Sequence, residues 1–143
     1  MVSRTVLLAV SGILGVSAAA IGGYHGYGEI LQGDVTPKGV LINAFGGADC
    51  MPDGQRNCFP AMTVLPTTFL IVGILTEVVA LITLLTTVMT VAGKSRGLSL
   101  LASSIVLLLV GGGFLAPILG IVGAGVGWAA KRELSVASRP ATP

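Results

Sequence analysis

Long uncharged stretches alternate with short polar breaks along this chain. Thr5 to Gly23 carries no charge, close to the roughly 20 residues that cross about 30 Å of hydrocarbon as a helix. Thr67 to Ala92 is interrupted only by Glu77. Leu98 to Ala130 is uncharged throughout. As one straight helix it would measure about 50 Å, well beyond the bilayer core. Its middle reads Gly111-Gly112-Gly113-Phe114-Leu115-Ala116-Pro117. Glycines favour a turn there, and proline suits the start of a new helix.

The pattern predicts a single all-α integral membrane domain with four short transmembrane helices at 5–23, 67–92, 98–112 and 114–130. The last two form a tight glycine-rich hairpin. A long outer loop (24–66), a short inner loop (93–97) and a tail (131–143) complete it. Two alternatives stand beside this reading. The last stretch can be one long kinked helix, giving three spans. The first stretch, with Arg4 ahead of it and Ser17-Ala18-Ala19-Ala20 within it, also fits a signal peptide, though it is long for an apolar signal region.

Charge favours four crossings. Placing Arg4 inside puts Lys94, Arg96, Lys131, Arg132 and Arg139 inside as well, and leaves Lys38 and Arg56 outside. With three crossings the excess reverses. Cytoplasmic loops normally hold the excess of positive charge. Both termini are therefore expected in the cytoplasm, with the chain in a plasma membrane, and its Gly/Ala/Val/Leu-rich make-up suits a bacterial inner membrane. The order of one span, a long outer loop, a second span and a final hairpin is similar to the four-span plan of claudins and tetraspanins. The claudin loop tryptophan signature and the tetraspanin cysteine–glycine motif are absent, so the likeness is one of topology and implies no activity.

Small residues mark the packing faces. Ser11, Gly15, Ala19 and Gly23 recur at four-residue spacing, and Gly120, Gly123 and Gly127 repeat the device in the last span. In lipid, close backbone approach supplies helix association. Such faces serve contacts within the chain, a second copy or a larger membrane partner. Thr76, Thr83, Thr87 and Thr90 form one stripe of the second span. They either bond their own helix backbone or line a polar path.

Candidate chemistry is sparse. Glu77 lies near the middle of a span, where an ionised carboxylate is expensive. No Lys, Arg or His sits in another span to pair with it. As a neutral acid it suits a buried hydrogen bond or proton and cation handling, with Thr76, Thr83 and Thr87 beside it. Cys50 and Cys58 flank the turn-forming Pro52-Asp53-Gly54, and on the outside of a membrane the expected state is a disulfide. His25, within Tyr24-His25-Gly26-Tyr27-Gly28-Glu29, reads as part of an interfacial aromatic anchor. As an outer-face ligand for a metal, haem or quinone it would need partners from another subunit. Gly39 to Phe45 is a short apolar run suited to a strand or to lying on the membrane. Trp128 beside Lys131 and Arg132 fits an anchor at the inner face.

Composition narrows the function classes. Hydrophobic residues make up 53% of the 143 and charged residues only 10%, against about 25% charged in soluble domains. This excludes a soluble globule, and a net charge of +2 is too weak for a nucleic-acid surface. No phosphate loop, zinc-protease or serine-elbow motif is present. No metal or cofactor is called for. His25 with Glu29, Asp34, Asp49 and Asp53 specifies no reaction, so the chain is read as not an enzyme. The expectation is an accessory or scaffolding subunit of a larger membrane complex, with a homo-oligomeric proton or cation channel using Glu77 as the alternative.

Overall fold

A computed structural model describes residues 3–34, 63–95 and 97–137, with side chains as far as Arg132. Among these residues the chain is all-helical: α1 (Arg4–Gln32), α2 (Phe69–Val91), α3 (Leu98–Val110) and α4 (Leu115–Ala137). Helices α1 and α2 are long and apolar enough to cross a membrane. At about 1.5 Å per residue, α1 is about 43 Å long and α3 only about 20 Å.

Local signals place the ends. The Ser3 hydroxyl accepts a hydrogen bond from the Val6 amide and caps α1, satisfying one of its free first-turn donors. Helix α2 ends in a turn in which the Lys94 amide reaches back to the Met89 carbonyl. Gly97 then opens α3. The single long, kinked third helix does not form: the chain breaks at Gly111–Phe114, and α4 starts with Pro117 in its first turn, where a missing N–H costs nothing.

The helices form a square. α1 packs on α2 and α4, α3 closes the figure against the same two, and the diagonal pairs scarcely touch. Gly15 lies opposite Thr87 and Gly26 opposite Gly73, so α1 and α2 are antiparallel. Ser11 meets Gly123 and Gly127, while His25 meets Gly113, so α4 also runs against α1. The Ser11 hydroxyl donates to the Gly123 carbonyl at 2.7 Å across this interface. At the α1–α2 crossing backbone meets backbone: a methyl group on Gly73 would stand 2.6 Å from the Gly26 carbonyl oxygen.

Polarity is inverted relative to a water-soluble bundle. Ala18, Ala19, Ala80, Ala116 and Ala124 are buried with Ser11, Ser103, Ser104 and with Thr76, Thr83, Thr87 and Thr90 of α2. Ile13, Val16, Ile74, Leu81, Leu85 and Val88 point outward. The larger buried side chains, Leu100, Leu107 and Val72, fill the gaps that the small residues leave.

Two helices outrun the lengths that hydrophobicity predicts. α1 continues from Gly23 through the tyrosine–glycine segment to Gln32, and α4 continues past Ala130 to Ala137. The α1 extension persists because Gly26 and Glu29 are buried, with Gly26 packed on Gly73 and Thr76. Tertiary contact thereby outweighs the poor helix propensity of Gly26 and Gly28. The predicted outer-loop run at 39–45, and Cys50 and Cys58, lie outside the described residues.

Gly73→Ala should lower unfolding stability in detergent by about 1–3 kcal/mol, the usual cost of overpacking. Its methyl would meet the Gly26 carbonyl and the Ile30 amide, which are backbone and cannot rotate away. Gly125→Ala is the control, since nothing lies within 4 Å of the added methyl. That variant should be unchanged or stabilised by up to about 1 kcal/mol. Equal losses in the two would refute the α1–α2 contact as the tight point.

Candidate functional site

His25 and Glu29 stand one helical turn apart on α1, and side chains four residues apart share a helix face. The Glu29 side chain is completely buried (0% exposed). Its Oε2 accepts a hydrogen bond from the Thr76 hydroxyl of α2 at 3.3 Å. Its Oε1 has no hydrogen-bond partner, and the His25 Nε2 lies 3.8 Å away. His25 is 15% exposed and so joins this buried carboxyl to the surface.

The turn between α3 and α4 forms the roof. Gly111 has φ +132°, and a side chain there would stand 2.6 Å from Val72 Cγ1 and 2.9 Å from Glu29 Oε1. Glycine is therefore required twice over, for the backbone angle and for the closeness of the carboxylate. Gly113 (φ +71°) rests above the imidazole, where a methyl would be 3.2 Å from His25 Nδ1. The segment before α2 straps the turn from outside. The Val64 amide and Thr63 hydroxyl both donate to the Leu109 carbonyl, at 3.1 and 3.4 Å. The Leu70 amide reaches the Gly33 carbonyl at 2.9 Å and ties α2 to the end of α1.

Glu77, the acid that stands out in the sequence, is half-buried and faces Gly23. The hydroxyl accepted by Glu29 comes from its neighbour Thr76. The threonine stripe is buried and bonded to its own helix: Thr83 to the Val79 carbonyl, Thr87 to Thr83, Thr90 to Thr86. It packs on Gly15 and Gly127 of the facing helices. Gly15, Ala19, Gly120, Gly123 and Gly127 are buried, and Gly23 is half-buried beside Glu77 and Ala80.

At the opposite end of the bundle lie Arg4, Lys94, Lys131 and Arg132. The Lys131 ammonium donates to the Gly93 carbonyl at 2.7 Å, a favourable cation position at the end of α2. An open groove of about 230 Å³ on the outside of α4 is lined by Gly125, Trp128, Ala129 and Arg132.

Among the described residues no group of three or more His, Cys, Asp or Glu side chains is placed to hold a metal ion. His25 and Glu29 supply two donors, and structural metal sites normally need four. What the pair can do is hold a proton between a mostly buried base that reaches the surface and a fully buried acid. Sequence reasoning places Glu29 only among the outer carboxylates, because its segment reads as loop. The available signal was its four-residue spacing from His25 on a row of small residues continuing past Gly23 to Gly26. No family model, curated protein or solved structure matches the chain.

Thr76→Val keeps the shape of the side chain and removes the hydroxyl that Glu29 accepts. Stability in detergent should fall by about 1–3 kcal/mol, the cost of stranding a buried acceptor. Thr83→Val removes only a bond to its own helix and should cost less than about 1 kcal/mol. The reverse order, read from paired denaturation curves, would show that Thr76 does not support Glu29.

Proposed function

We propose that the chain is a small polytopic membrane protein that acts as a non-enzymatic accessory or scaffolding subunit of a larger plasma-membrane complex. In this reading it crosses four times, with both termini in the cytoplasm. The observation that carries it is the division of surfaces. Only 28% of the apolar window of α1 or α2 is buried, whereas the core helix of a soluble protein is mostly buried. The large aliphatic side chains lie on the outside, where only lipid or another apolar protein surface accommodates so much of them.

The described cations support the orientation. Arg4, Lys94, Lys131 and Arg132 belong to one end, while His25, Glu29 and Asp34 belong to the other. That is the asymmetry expected when the basic end faces the cytoplasm. The short α3 fits a crossing whose outer turn, at Gly111–Phe114, sits at the level of His25, below the end of α1.

The interior favours a structural role over conduction. The hydroxyls of Thr83, Thr87 and Thr90 are engaged with backbone and the glycines with facing helices, which leaves these threonines little role as a path in a single copy. The competing reading, a homo-oligomeric proton or cation channel, draws its support from a buried acid. That acid is Glu29 rather than Glu77.

Affinity purification from gently solubilised native membranes should recover larger membrane proteins at fixed stoichiometry. A free monomer alone would overturn the accessory role. The purified chain in liposomes should give no ion flux. Flux abolished by Glu29→Gln or Glu77→Gln would install the channel reading instead. For topology, single cysteines at positions 34 and 94, in a chain with Cys50 and Cys58 replaced by serine, should label from opposite sides of the membrane. Labelling from one side would refute the four crossings.

A further inference from the structure

We propose that His25 and Glu29 form a binding site for one exchangeable proton, and that this proton holds the Gly111–Gly113 turn down on α1. The proposal stands apart from the accessory role and does not depend on any partner.

Four features of the geometry support it. First, Glu29 is wholly buried and its one hydrogen bond comes from a neutral hydroxyl. A buried carboxylate with so little compensation is stable only when its charge is neutralised. Second, the imidazole Nε2 is 3.8 Å from Oε1, about 1 Å beyond a charge-assisted hydrogen bond. A small side-chain rotation lets the two share a proton. Third, the Gly111 backbone rests against Oε1 so closely that even a methyl group would crowd it. A hydrated cation does not fit under this roof and a proton does. Fourth, His25 reaches the surface, which gives the buried acid an exchange route.

Among the described residues no other charge substitutes for the proton. On α1, Tyr24 and Tyr27 point outward, Arg4 lies at the far end and Asp34 lies beyond the helix end. On α2 the nearest titratable group is Glu77, which faces Gly23 and is itself an acid. Residues 63–68, the 111–114 turn and α3 carry no titratable side chain. The described cations of α4, Lys131 and Arg132, lie at the other end of the bundle.

Loss of the proton places a charge directly beneath the turn. The turn is then held by the Gly112 amide on the Leu107 carbonyl and by the strap from Thr63 and Val64. The outer end of the α3–α4 hairpin is released from α1, and alkaline conditions on that side favour the released form.

Hydrogen exchange of the 107–116 segment tests this, using the full chain in lipid nanodiscs between pH 5 and pH 9 (about the range over which such a pair exchanges a proton). Rates are corrected for base-catalysed intrinsic exchange. Protection in the wild type should fall by about tenfold per pH unit once the proton leaves, the slope of a one-proton linkage. Glu29→Gln, a neutral isostere, should stay protected throughout. His25→Gln should move the fall to another pH. Constant protection in the wild type, or the same fall in Glu29→Gln, would overturn the proposal. Should Glu29→Gln fail to fold, the infrared bands of a protonated carboxyl and of an imidazolium decide. Read in the Glu77→Gln variant, either band at neutral pH that vanishes on alkalinisation supports the site, and neither band at neutral pH overturns it.

Discussion

Backbone contact between α1 and α2 at Gly26 and Gly73 is the constraint on which the other features rest. The two helices approach until a single methyl group at Gly73 would strike a carbonyl. At that separation Thr76 reaches Glu29, Thr87 fills the notch at Gly15, and the α3–α4 turn can lie across both helices. Wider spacing would leave Glu29 without its hydroxyl and the turn without a seat. In a lipid setting such contact is also the main source of helix association, because tails and side chains are equally apolar.

The inverted interior follows from the same economy of space. Mostly alanine, glycine, serine and threonine fit between helices this close, with Leu100, Leu107 and Val72 in the remaining gaps, so polar hydroxyls are drawn inside. They are tolerated there because most find a backbone carbonyl, as Thr83, Thr87, Ser103 and Ser104 do within their own helices. Others link two helices: Ser11 donates to Gly123 of α4, Thr76 to Glu29 of α1, and Thr86 pairs with Ser103 of α3. The bulky aliphatic residues are left for the outside, which lipid accepts and water does not.

Glu29 departs from this scheme. Its carboxyl is more polar than the site can satisfy with the groups around it, and its Oε1 remains without a hydrogen bond beneath Gly111. Buried groups left unsatisfied in this way carry a cost, and they concentrate where a protein has a task beyond holding its shape. The shortness of α3 is part of the arrangement. A longer helix would carry the glycine turn past His25 and Glu29 and leave the acid uncovered.

Helical class, the break at Gly111–Gly113 and the small-residue faces were all legible in the order of residues. They depend on local propensity, on the rarity of charge and on spacing along a helix, which a linear pattern records. The reach of α1 was not legible, because residues 24–32 hold their helix through contacts with α2. The deeper burial of Glu29 relative to Glu77 was hidden for the same reason. Both acids lie in apolar surroundings along the chain, and hydropathy ranks Glu77 as the deeper. Tertiary structure reverses that order by turning Glu77 toward Gly23 at a half-buried position and by laying a turn from sequence-distant glycines over Glu29. Burial is a property of what the rest of the chain places on a residue, and a residue's own neighbours in sequence do not contain it.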